Sequence, residues 1–450
     1  MTASATLENL IEELAKGPAA ARTLARALRV SQPTLSRALS GLERQGRVIR
    51  IGTTRGARYG LARTVAGIGT HWPLFRVSES GRLDELGPLH ALERDVYFAP
   101  RAFGRLRGVT EGIPYFLQDA RPGGFLGRTV PQTFPELSLP ARIIDWTDDH
   151  FLKYLTSRAP DSVGNLILGE ASADRYMSRS HDGSVIQAAQ RASRYPVLAA
   201  SAMSGALAGS SAQGEQPKFL LQKIEDDGRR THVLVKFSPP RVTEAGQRWT
   251  DLLLSEHLAH QLLARAGLPV CRSEWFSFGD RAYLEVERFD RLGGEGRVGA
   301  VSLYAIDVSR YGKLDSWSDC AQRLKAEALL SAQDADWMRL LDAFAQLIAN
   351  TDRHFGNITL FDHYEGPFEL APTYDMLPML FAPQHDQIIE RRYEPTPPSA
   401  TSFAVWGHAR TLATEYWALL ADEARLSAPF RALCARCLEA VRSLSVRGLS

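Results

Sequence analysis

Residues 350–357 read NTDRHFGN, a polar stretch that follows the apolar run LLDAFAQLI at 340–348 and precedes Thr359–Leu360. A polar group buried without a partner costs about 1–3 kcal/mol, so a polar cluster between core segments requires either internal hydrogen bonds or a function. Two of its side chains, Asp352 and Asn357, are five positions apart. The segments on either side in the chain decide between these two explanations.

The spacing D-x-x-x-x-N is that of the catalytic loop of protein kinases. In such a loop the Asp accepts the proton of the substrate hydroxyl, and the Asn binds a magnesium ion. Eighteen residues beyond Asn357, the segment APTYDMLPML at 371–380 contains Asp375. Because magnesium prefers hard oxygen ligands, Asp375 is a candidate for the main metal ligand in phosphoryl transfer.

Two strand-like segments and a helical segment precede these residues. THVLVKFSP at 231–239 and RAYLEVERFDR at 281–291 predict strands, and TDLLLSEHLAHQLLARAGLPV at 250–270 predicts a helix. A Lys at the end of a buried strand is costly unless an anion meets it. The three segments carry the following charged candidates: Lys236, Glu256, Glu285 and Glu287.

The small-residue segment SGALAGSSAQGEQPKF at 204–219 precedes the first of these strands. It contains neither G-x-x-x-x-G-K-[ST] nor G-x-G-x-x-G, and taken alone it is consistent with a surface linker or with a loop whose backbone N–H groups approach phosphate. The order of glycine loop, strand with Lys, helix with Glu and strand with acids is that of the ATP-binding lobe of protein kinases. This order favours the phosphate-binding loop.

The 450 residues have an ordinary globular composition, with 44% hydrophobic and 23% charged residues. At about 100–200 residues per domain, the length predicts two to four units. No segment reaches the roughly 18 consecutive apolar residues of a membrane span. The N-terminus carries acids where a secretory signal carries basic residues, so we expect a cytoplasmic protein without a membrane partner.

The four cysteines are too few and too scattered for a disulfide framework. Cys434 and Cys437 have the spacing of a metal or redox pair. They lie, however, in a helical pattern with neither a second pair nor a nearby His in the sequence, which favours a structural role.

The first 64 residues are basic, with 11 Lys or Arg and 4 Glu, whereas the rest of the chain holds 42 basic and 47 acidic residues. This distribution indicates a polyanionic partner for the N-terminal end alone. Leucine spacing predicts three short helices, the third beginning at the N-cap Ser31 with Pro33 in its first turn. VIRIGTTRGARYGL at 48–61 predicts two strands around an arginine-rich turn.

Three helices followed by a basic hairpin resemble the winged helix-turn-helix family of bacterial regulators. In that family the recognition helix enters the major groove, and the wing touches phosphate or the minor groove. The resemblance implies binding of double-stranded DNA, with four side chains facing the bases: Gln32, Thr34, Ser36 and Arg37. It also implies backbone contacts from Arg50, Arg55 and Arg58. A small helical protein-interaction domain with solvated arginines is the alternative.

Four segments in combination resemble the HipA family of serine/threonine kinases, the toxin kinases of bacterial toxin–antitoxin systems. They are NTDRHFGNITLF, PTYDMLP, VERFDR and SAQGEQPKF, and the likeness covers about residues 90–445. It implies an α+β, protein-kinase-like fold with a mixed N-terminal lobe and a mostly helical C-terminal lobe. With the winged-helix domain in front, the expected boundaries are 1–64, 65–290 and 291–450.

The family's phosphate loop follows the pattern S-x-x-G-x-Q-x-K. In this chain the pattern falls on Ser211, Gly214, Gln216 and Lys218. In the family the loop is mobile, and the kinase phosphorylates its serine, which ejects the loop and switches the enzyme off. The resemblance therefore implies that Ser211 is an autophosphorylation site.

The remaining roles carry over in the same way. Lys236 would contact nucleotide phosphate, while Glu285 and Glu287, with nearby backbone, would lie at the adenine hinge. Asp352 would be the catalytic base, and two residues would hold magnesium: Asn357 and Asp375. Two further positions are expected to be structural, Glu256 as the ion-pair partner of the lysine and His354 within the loop, with proton transfer as the alternative for the histidine.

The resemblance implies a kinase that transfers the γ-phosphoryl group of ATP to a protein Ser or Thr, with ATP and magnesium as cofactors. In the family the best-known substrates are aminoacyl-tRNA synthetases. The fused DNA-binding unit implies autoregulation, and it leaves open a separate antitoxin and a homodimer. Two alternatives remain: a transcriptional regulator with an inactive, nucleotide-sensing kinase fold, and a small-molecule phosphotransferase.

Overall fold

The computed structural model of the chain describes residues 3–54, 56–178, 185–207, 216–384 and 386–444. Their contacts define two compact units. The first comprises Met1–Ser78, Arg82–Arg121 and Glu136–Arg179, and the second comprises Glu79–Gly81, Pro122–Pro135 and Ser180–Ser450. The boundary expected between residues 64 and 65 falls within the first unit, and that between 290 and 291 falls within the second.

The first 178 residues alternate short helices and strands. Their elements are α1 (Ala3–Leu14), β1 (Ala19–Ala20), α2 (Ala21–Leu28), α3 (Gln32–Arg44), β2 (Val48–Ile51), β3 (Arg58–Leu61), β4 (His71–Val77), β5 (Leu83–Leu92), β6 (Val96–Ala99), β7 (Gly108–Glu111), α4 (Tyr115–Gln118), α5 (Gly124–Gly127), α6 (Val130–Thr133), α7 (Asp148–Arg158), β8 (Leu166–Leu168) and α8 (Glu170–Ser178). Strands β1, β3 and β2 form one small sheet, and a second sheet has the order β7-β6-β5-β4-β8.

Helices α1–α3 enclose a small core of leucines. Buried side chains from all three helices and from the hairpin meet there: Leu10, Leu14, Leu24, Leu28, Leu35, Leu39, Leu42, Val48 and Leu61. Helix α3 begins as its sequence predicts, because the Ser31 side chain accepts a hydrogen bond from the Thr34 N–H and Pro33 lies in the first turn. The leucines face inward, so the polar side of α3 is left at the surface.

The β2–β3 hairpin has a second apolar face, which packs against the larger sheet. Ile49 and Ile51 contact a cluster formed by Leu92 and two residues of β6. The backbone continues this contact, because the Glu93 N–H donates to the Leu61 carbonyl at 2.9 Å. A Cβ on Gly60 would approach a Leu92 methyl to 2.8 Å, so this position favours glycine. The hairpin is therefore held on both faces.

The second part of the chain places most of its strands before most of its helices. Its elements are β9 (Val185–Gln187), α9 (Arg191–Leu207), β10 (Lys218–Ile224), β11 (Arg230–Phe237), α10 (Glu244–Arg265), β12 (Ser273–Phe278), β13 (Arg281–Glu287), β14 (Arg291–Leu292), β15 (Gly296–Arg297), β16 (Ala300–Ser302), α11 (Leu303–Arg310), α12 (Trp317–Ala326), α13 (Ala332–Leu347), β17 (Thr359–Phe361), β18 (Glu369–Leu370), α14 (Phe403–Asp422) and α15 (Ala428–Ser443). The predicted α+β class is confirmed.

A five-stranded sheet in the order β12-β13-β11-β10-β9 forms the centre of this part. In its register Lys236 pairs with Lys218 on one neighbour and with Leu284 on the other. Because successive side chains of a strand point to opposite faces, Lys236 and Lys218 share a face, and Glu285 lies on the other face. Helix α9 packs over the second face, where Tyr195 joins Phe219, Val235 and other buried residues.

Some expected boundaries shift by a few residues. The segment at 204–219 was predicted to be a loop, but α9 continues to Leu207. The expected helix at 250–270 begins earlier, at Glu244, because Thr243 caps its N-terminus by accepting a hydrogen bond from the Gly246 N–H at 2.9 Å. Within the described ranges, no helix combines the length and the apolar character needed to cross a membrane.

The N-terminal turn of α10 generates a prediction about stability. A Cβ on Gly246 would lie 1.9 Å from the Pro240 carbonyl oxygen, whereas a Cβ on Gly407, an exposed glycine of α14, would meet nothing within 4 Å. We expect Gly246→Ala to lower the free energy of unfolding by about 1–3 kcal/mol, as overpacking does. Gly407→Ala should raise it by about 0.5–1 kcal/mol, because Ala is the better helix former. Urea unfolding of the two variants checks both signs, and destabilisation by both would contradict the packing argument.

Candidate functional site

The site is organised around the ammonium group of Lys236, near the end of β11. Its Nζ donates to both carboxylate oxygens of Glu256, at 2.6 and 2.7 Å, and also to Asp375 Oδ1. Glu256 lies in the middle of α10 and is fully buried. Burial would lower the pKa of Lys236, but the two carboxylates outweigh it and hold the pKa above its usual value. The lysine is therefore charged at neutral pH despite its burial.

The backbone of Asp375 has a conformation that residues other than glycine rarely adopt. Its φ is 55°, in the left-handed region, and its N–H donates to Glu256 Oε1 at 3.2 Å. Burial would raise the pKa of the Asp375 carboxyl, but the charges of Lys236 and Lys218 outweigh this effect, so the pKa lies below its usual value. Such strain at one residue is typical of functional sites. Asp375 is an ionised carboxylate presented by a fixed backbone.

Asn350, which sequence reasoning did not single out, connects Asp375 to the polar loop. Its side-chain N–H donates to the Asp375 carbonyl at 3.0 Å, and its side-chain oxygen accepts from the Asp352 N–H at 2.9 Å. Asn350 is the first residue of NTDRHFGN, so its place in that stretch was the available signal. One buried amide thus fixes the loop relative to Asp375.

The loop itself is closed by a hydrogen bond between its two expected functional residues. The Asn357 side-chain N–H donates to the Asp352 carbonyl at 2.9 Å and to Asp352 Oδ2 at 3.2 Å. His354 Nδ1 accepts from the Gly356 N–H at 3.0 Å, and its Nε2 lies 3.5 Å from Asp352 Oδ1. The histidine therefore caps the turn, while its second nitrogen faces the aspartate; its structural role stays a prediction.

Residues of helices α12 and α13 form hydrogen bonds that hold the loop. Arg353 donates to Asp342 Oδ1 at 2.7 Å, and the other oxygen of this buried carboxylate accepts from the Ser318 hydroxyl at 2.7 Å. The Trp317 indole N–H donates to the His354 carbonyl at 3.2 Å. These contacts anchor Arg353 and the His354 carbonyl, whereas the side chains of Asp352 and His354 are about half exposed.

The predicted phosphate-loop residues divide between described and undescribed parts of the chain. Ser211 and Gly214 lie outside the described residues, as does Arg55 of the N-terminal hairpin. Gln216 is half-buried, and its side-chain N–H donates to the Phe237 carbonyl at 2.5 Å. Lys218 pairs with Lys236 across β10 and β11. Two lysines on one face of the sheet repel each other and favour an anion near them.

A contact of the Glu285 side chain with adenine requires this residue to share a face with Lys236. The structure does not place it there. The register places Glu285 on the opposite face, where it is buried and accepts hydrogen bonds from Arg191 at 2.9 and 3.1 Å. The sequence shows that side chains of β13 alternate between two faces. It does not show which of these faces is shared with Lys236. Glu287 is partly exposed and lies 3.6 Å from Arg229. A hinge role for the backbone at 285–287 stays a prediction.

The N-terminal residues expected at DNA are at the surface, with one qualification. On α3, Gln32, Ser36 and Arg37 are exposed, and Thr34 is partly exposed. Arg50 and Arg58 of the hairpin are exposed as well, but the Arg58 guanidinium donates to the Pro18 carbonyl at 2.6 Å. Arg58 is therefore bound to the body of the domain rather than extended from the wing.

Asp375 and Asn357 supply a donor set that fits magnesium. The Asn357 N–H group is used by Asp352, which leaves its amide oxygen for a cation, and Asp375 is ionised. No cluster of three or more His, Cys, Asp or Glu side chains arranged for a metal occurs among the residues that the structure describes. Cys434 and Cys437 are buried and free, as a structural role requires.

The buried Lys236–Glu256 pair leads to a second prediction about stability. Removing one partner of a buried ion pair costs about 3–5 kcal/mol. Because Lys236 keeps Asp375, we expect Glu256→Gln to lower the free energy of unfolding by about 3 kcal/mol, measured by urea unfolding. Glu439→Gln is the control, since that carboxylate forms an exposed pair with Arg442 and its loss should cost less than about 1 kcal/mol. Equal losses in the two variants would contradict the importance of the buried pair.

Comparison with protein families matches two parts of the chain. Residues 68–177 match the family described as "YjjJ-like toxin, middle domain", and residues 210–444 match "HipA-like C-terminal domain". The chain is 34% identical over 451 residues to Toxin YjjJ of Escherichia coli (strain K12), and the match covers 97% of this chain and 98% of that protein.

Two solved structures are similar to parts of the chain. One is HipA of the Shewanella oneidensis MR-1 toxin–antitoxin system, in a complex with HipB and operator DNA, with 16% identity, a TM-score of 0.46 and coverage of 89% of this chain and 97% of that one. The other is the Helicobacter pylori proinflammatory kinase CtkA, with 14% identity, a TM-score of 0.35 and coverage of 52% and 90%. The sequence identity to Toxin YjjJ over nearly the whole length, and the HipA-like C-terminal domain over more than half of the chain, establish that this chain belongs to the HipA-type toxin family.

Proposed function

We propose that the chain is a protein kinase that transfers the γ-phosphoryl group of ATP to a Ser or Thr hydroxyl, with magnesium as the metal. The observation that carries the proposal is the bridge through Asn350. This single side chain joins the backbone of Asp375, beside the Lys236–Glu256 pair, to the backbone of Asp352. A lysine, a candidate metal ligand and a candidate base are thereby held in one connected arrangement, which is what phosphoryl transfer requires.

In this mechanism the charged residues divide the work. Lys236 and Lys218 bind the phosphates of ATP, and Glu256 holds the Lys236 ammonium in place. Asp375 and Asn357 would hold magnesium, which would supply positive charge to neutralise the transferred group. The Asp352 carboxylate accepts the proton of the attacking hydroxyl. It is about half exposed, so a substrate can reach it.

Two contacts shape the roles of these carboxylates. The Lys236 ammonium donates to Oδ1 of Asp375, so a metal would be held through the second oxygen of this carboxylate. Asp352 is oriented by Asn357 rather than by a buried partner, so its carboxylate stays open to a substrate hydroxyl. The proposal extends to autophosphorylation at Ser211 and to a protein substrate, of which an aminoacyl-tRNA synthetase is the family-based candidate.

Phosphoryl transfer is tested by incubating the full chain with labelled ATP and magnesium, alone and with a bacterial lysate. We expect label on the chain or on a lysate protein, and a loss of at least about 100-fold in Asp352→Asn, because a general base contributes that much or more. Asp422→Asn, at an exposed carboxylate at the end of α14, should keep the wild-type rate.

The outcomes separate the alternatives. Labelling by the wild-type chain that survives unchanged in Asp352→Asn would refute the role of Asp352, and no labelled protein at all would refute the kinase. Label found on a metabolite, with none on protein, would indicate the small-molecule phosphotransferase. A phosphopeptide at Ser211 that is absent from Ser211→Ala would support the expected autophosphorylation.

We further propose that the first unit binds double-stranded DNA through α3 and the hairpin. The exposed polar side of α3, above a leucine core, and the excess of basic residues in the first 64 positions support this proposal. Contacts from this unit would allow the protein to act on its own promoter, with or without a separate antitoxin.

DNA binding is tested with the full chain and a labelled duplex over a range of salt concentrations. Affinity should fall as salt rises, and Arg50→Ala should reduce the slope of that dependence by about one counterion, as expected for a phosphate contact. Arg82→Ala, an exposed arginine that lies between β4 and β5, should leave the slope unchanged. A slope of zero for the wild-type chain would refute the proposal.

A further inference from the structure

Glu285 is the centre of a buried charge network on the face of the sheet opposite Lys236. Lys223 of β10 donates to Glu285 Oε1, and the Tyr195 hydroxyl of α9 donates to Glu285 Oε2. Arg191, one turn before Tyr195, donates to both oxygens at 3.1 and 2.9 Å. Both oxygens of the carboxylate are thus saturated by donors from two different elements.

Each cation of the network also meets a second carboxylate. Lys223 also lies 2.8 Å from Glu225, and Arg191 lies 3.3 Å from Glu274. Burial would raise the pKa of Glu285, but the hydrogen bonds from Arg191, Lys223 and Tyr195 outweigh it, so the pKa lies below its usual value. A buried network of this kind is costly to assemble, and it requires good geometry from each of its members.

The two elements that the network joins flank residues 208–217 in the sequence. Helix α9 ends at Leu207, before that segment, and β10 begins at Lys218, after it. Glu285 holds α9 through Arg191 and Tyr195 and holds β10 through Lys223. Lys218, the first residue of β10, is paired with Lys236 on the other face. The network therefore ties the strand that carries Lys218 to α9, in addition to the pairing of that strand with β11.

We propose that Glu285 is a positioning residue, which sets the separation of α9 and β10 and thereby places Lys218 for the phosphates of ATP. The proposal rests on the proposed kinase function. It assigns to Glu285 a role through α9 and β10, on the face opposite Lys236, and not a contact with adenine. The residue acts through Lys223, Arg191 and Tyr195.

The test uses two tyrosines of the same aromatic cluster. Tyr195 and Tyr283 are both fully buried, and their rings are 5.6 Å apart. The Tyr195 hydroxyl donates to Glu285, whereas the Tyr283 hydroxyl has no hydrogen-bond partner among the described residues. Tyr195→Phe and Tyr283→Phe remove the same atom from the same core, and only the first removes a bond to Glu285.

The measurement is the initial rate of protein labelling over a range of ATP concentrations, with the magnesium concentration fixed. For Tyr195→Phe we expect the half-saturating ATP concentration to rise about tenfold, equivalent to about 1.4 kcal/mol, with a maximal rate within about twofold of wild type. Tyr283→Phe should match wild type in both quantities. Direct ATP binding by calorimetry on the Asp352→Asn chain, with and without Tyr195→Phe, gives the same comparison without catalysis.

The outcomes distinguish failure of this proposal from failure of the kinase function. If the wild-type chain labels no protein but Tyr195→Phe still weakens ATP binding, the positioning role stands and the kinase function fails. If Tyr195→Phe and Tyr283→Phe have equal effects, or if Tyr195→Phe lowers the maximal rate in proportion to a loss of folded protein, Glu285 is only structural. Thermal unfolding of each variant supplies the folded fraction. Folded Glu285→Gln protein should show a larger rise in the half-saturating ATP concentration than Tyr195→Phe.

Discussion

The burial of the Lys236 ammonium is the constraint on which the rest of the catalytic part depends. A charge removed from water must be paired, and two carboxylates from distant parts of the chain provide the pairing: Glu256 on α10 and Asp375, whose φ is positive. Satisfying this one group therefore requires that the sheet, helix α10 and the segment after β18 come together. The residues that solve the electrostatic problem are also those that a phosphoryl-transfer site needs.

The polar stretch NTDRHFGN solves a related problem with hydrogen bonds instead of charge. Asn350 is buried and uses its amide on both sides, towards Asp375 and towards Asp352. Arg353 is paired with the buried Asp342 beneath it. What remains exposed is the Asp352 carboxylate with His354 beside it, and these are the groups that a substrate could reach. The loop is thus rigid where it meets the core and open where chemistry is proposed.

The two faces of the central sheet carry charge for different reasons. On one face Lys218 lies beside Lys236, whose ammonium is held by Glu256 and Asp375, and on the other face the charges around Glu285 are paired with one another. The position of the Glu285 side chain could not be predicted from β13 alone. Alternation within β13 was readable, but the face each glutamate would occupy depends on pairing with β11, which is a long-range property of the sheet.

By itself the sequence determined the local elements and the chemical inventory. Leucine spacing and the Ser31 cap located α3, because both reflect short-range geometry. The order of Lys236, Glu256, Asp352, Asn357 and Asp375 indicated the type of site, because protein kinases present these residue types in that order. Only the tertiary structure decided which of these side chains meet. It showed the bridge by Asn350, the attachment of Arg58 to Pro18 and the burial of Glu285, since each depends on contacts between residues far apart in sequence.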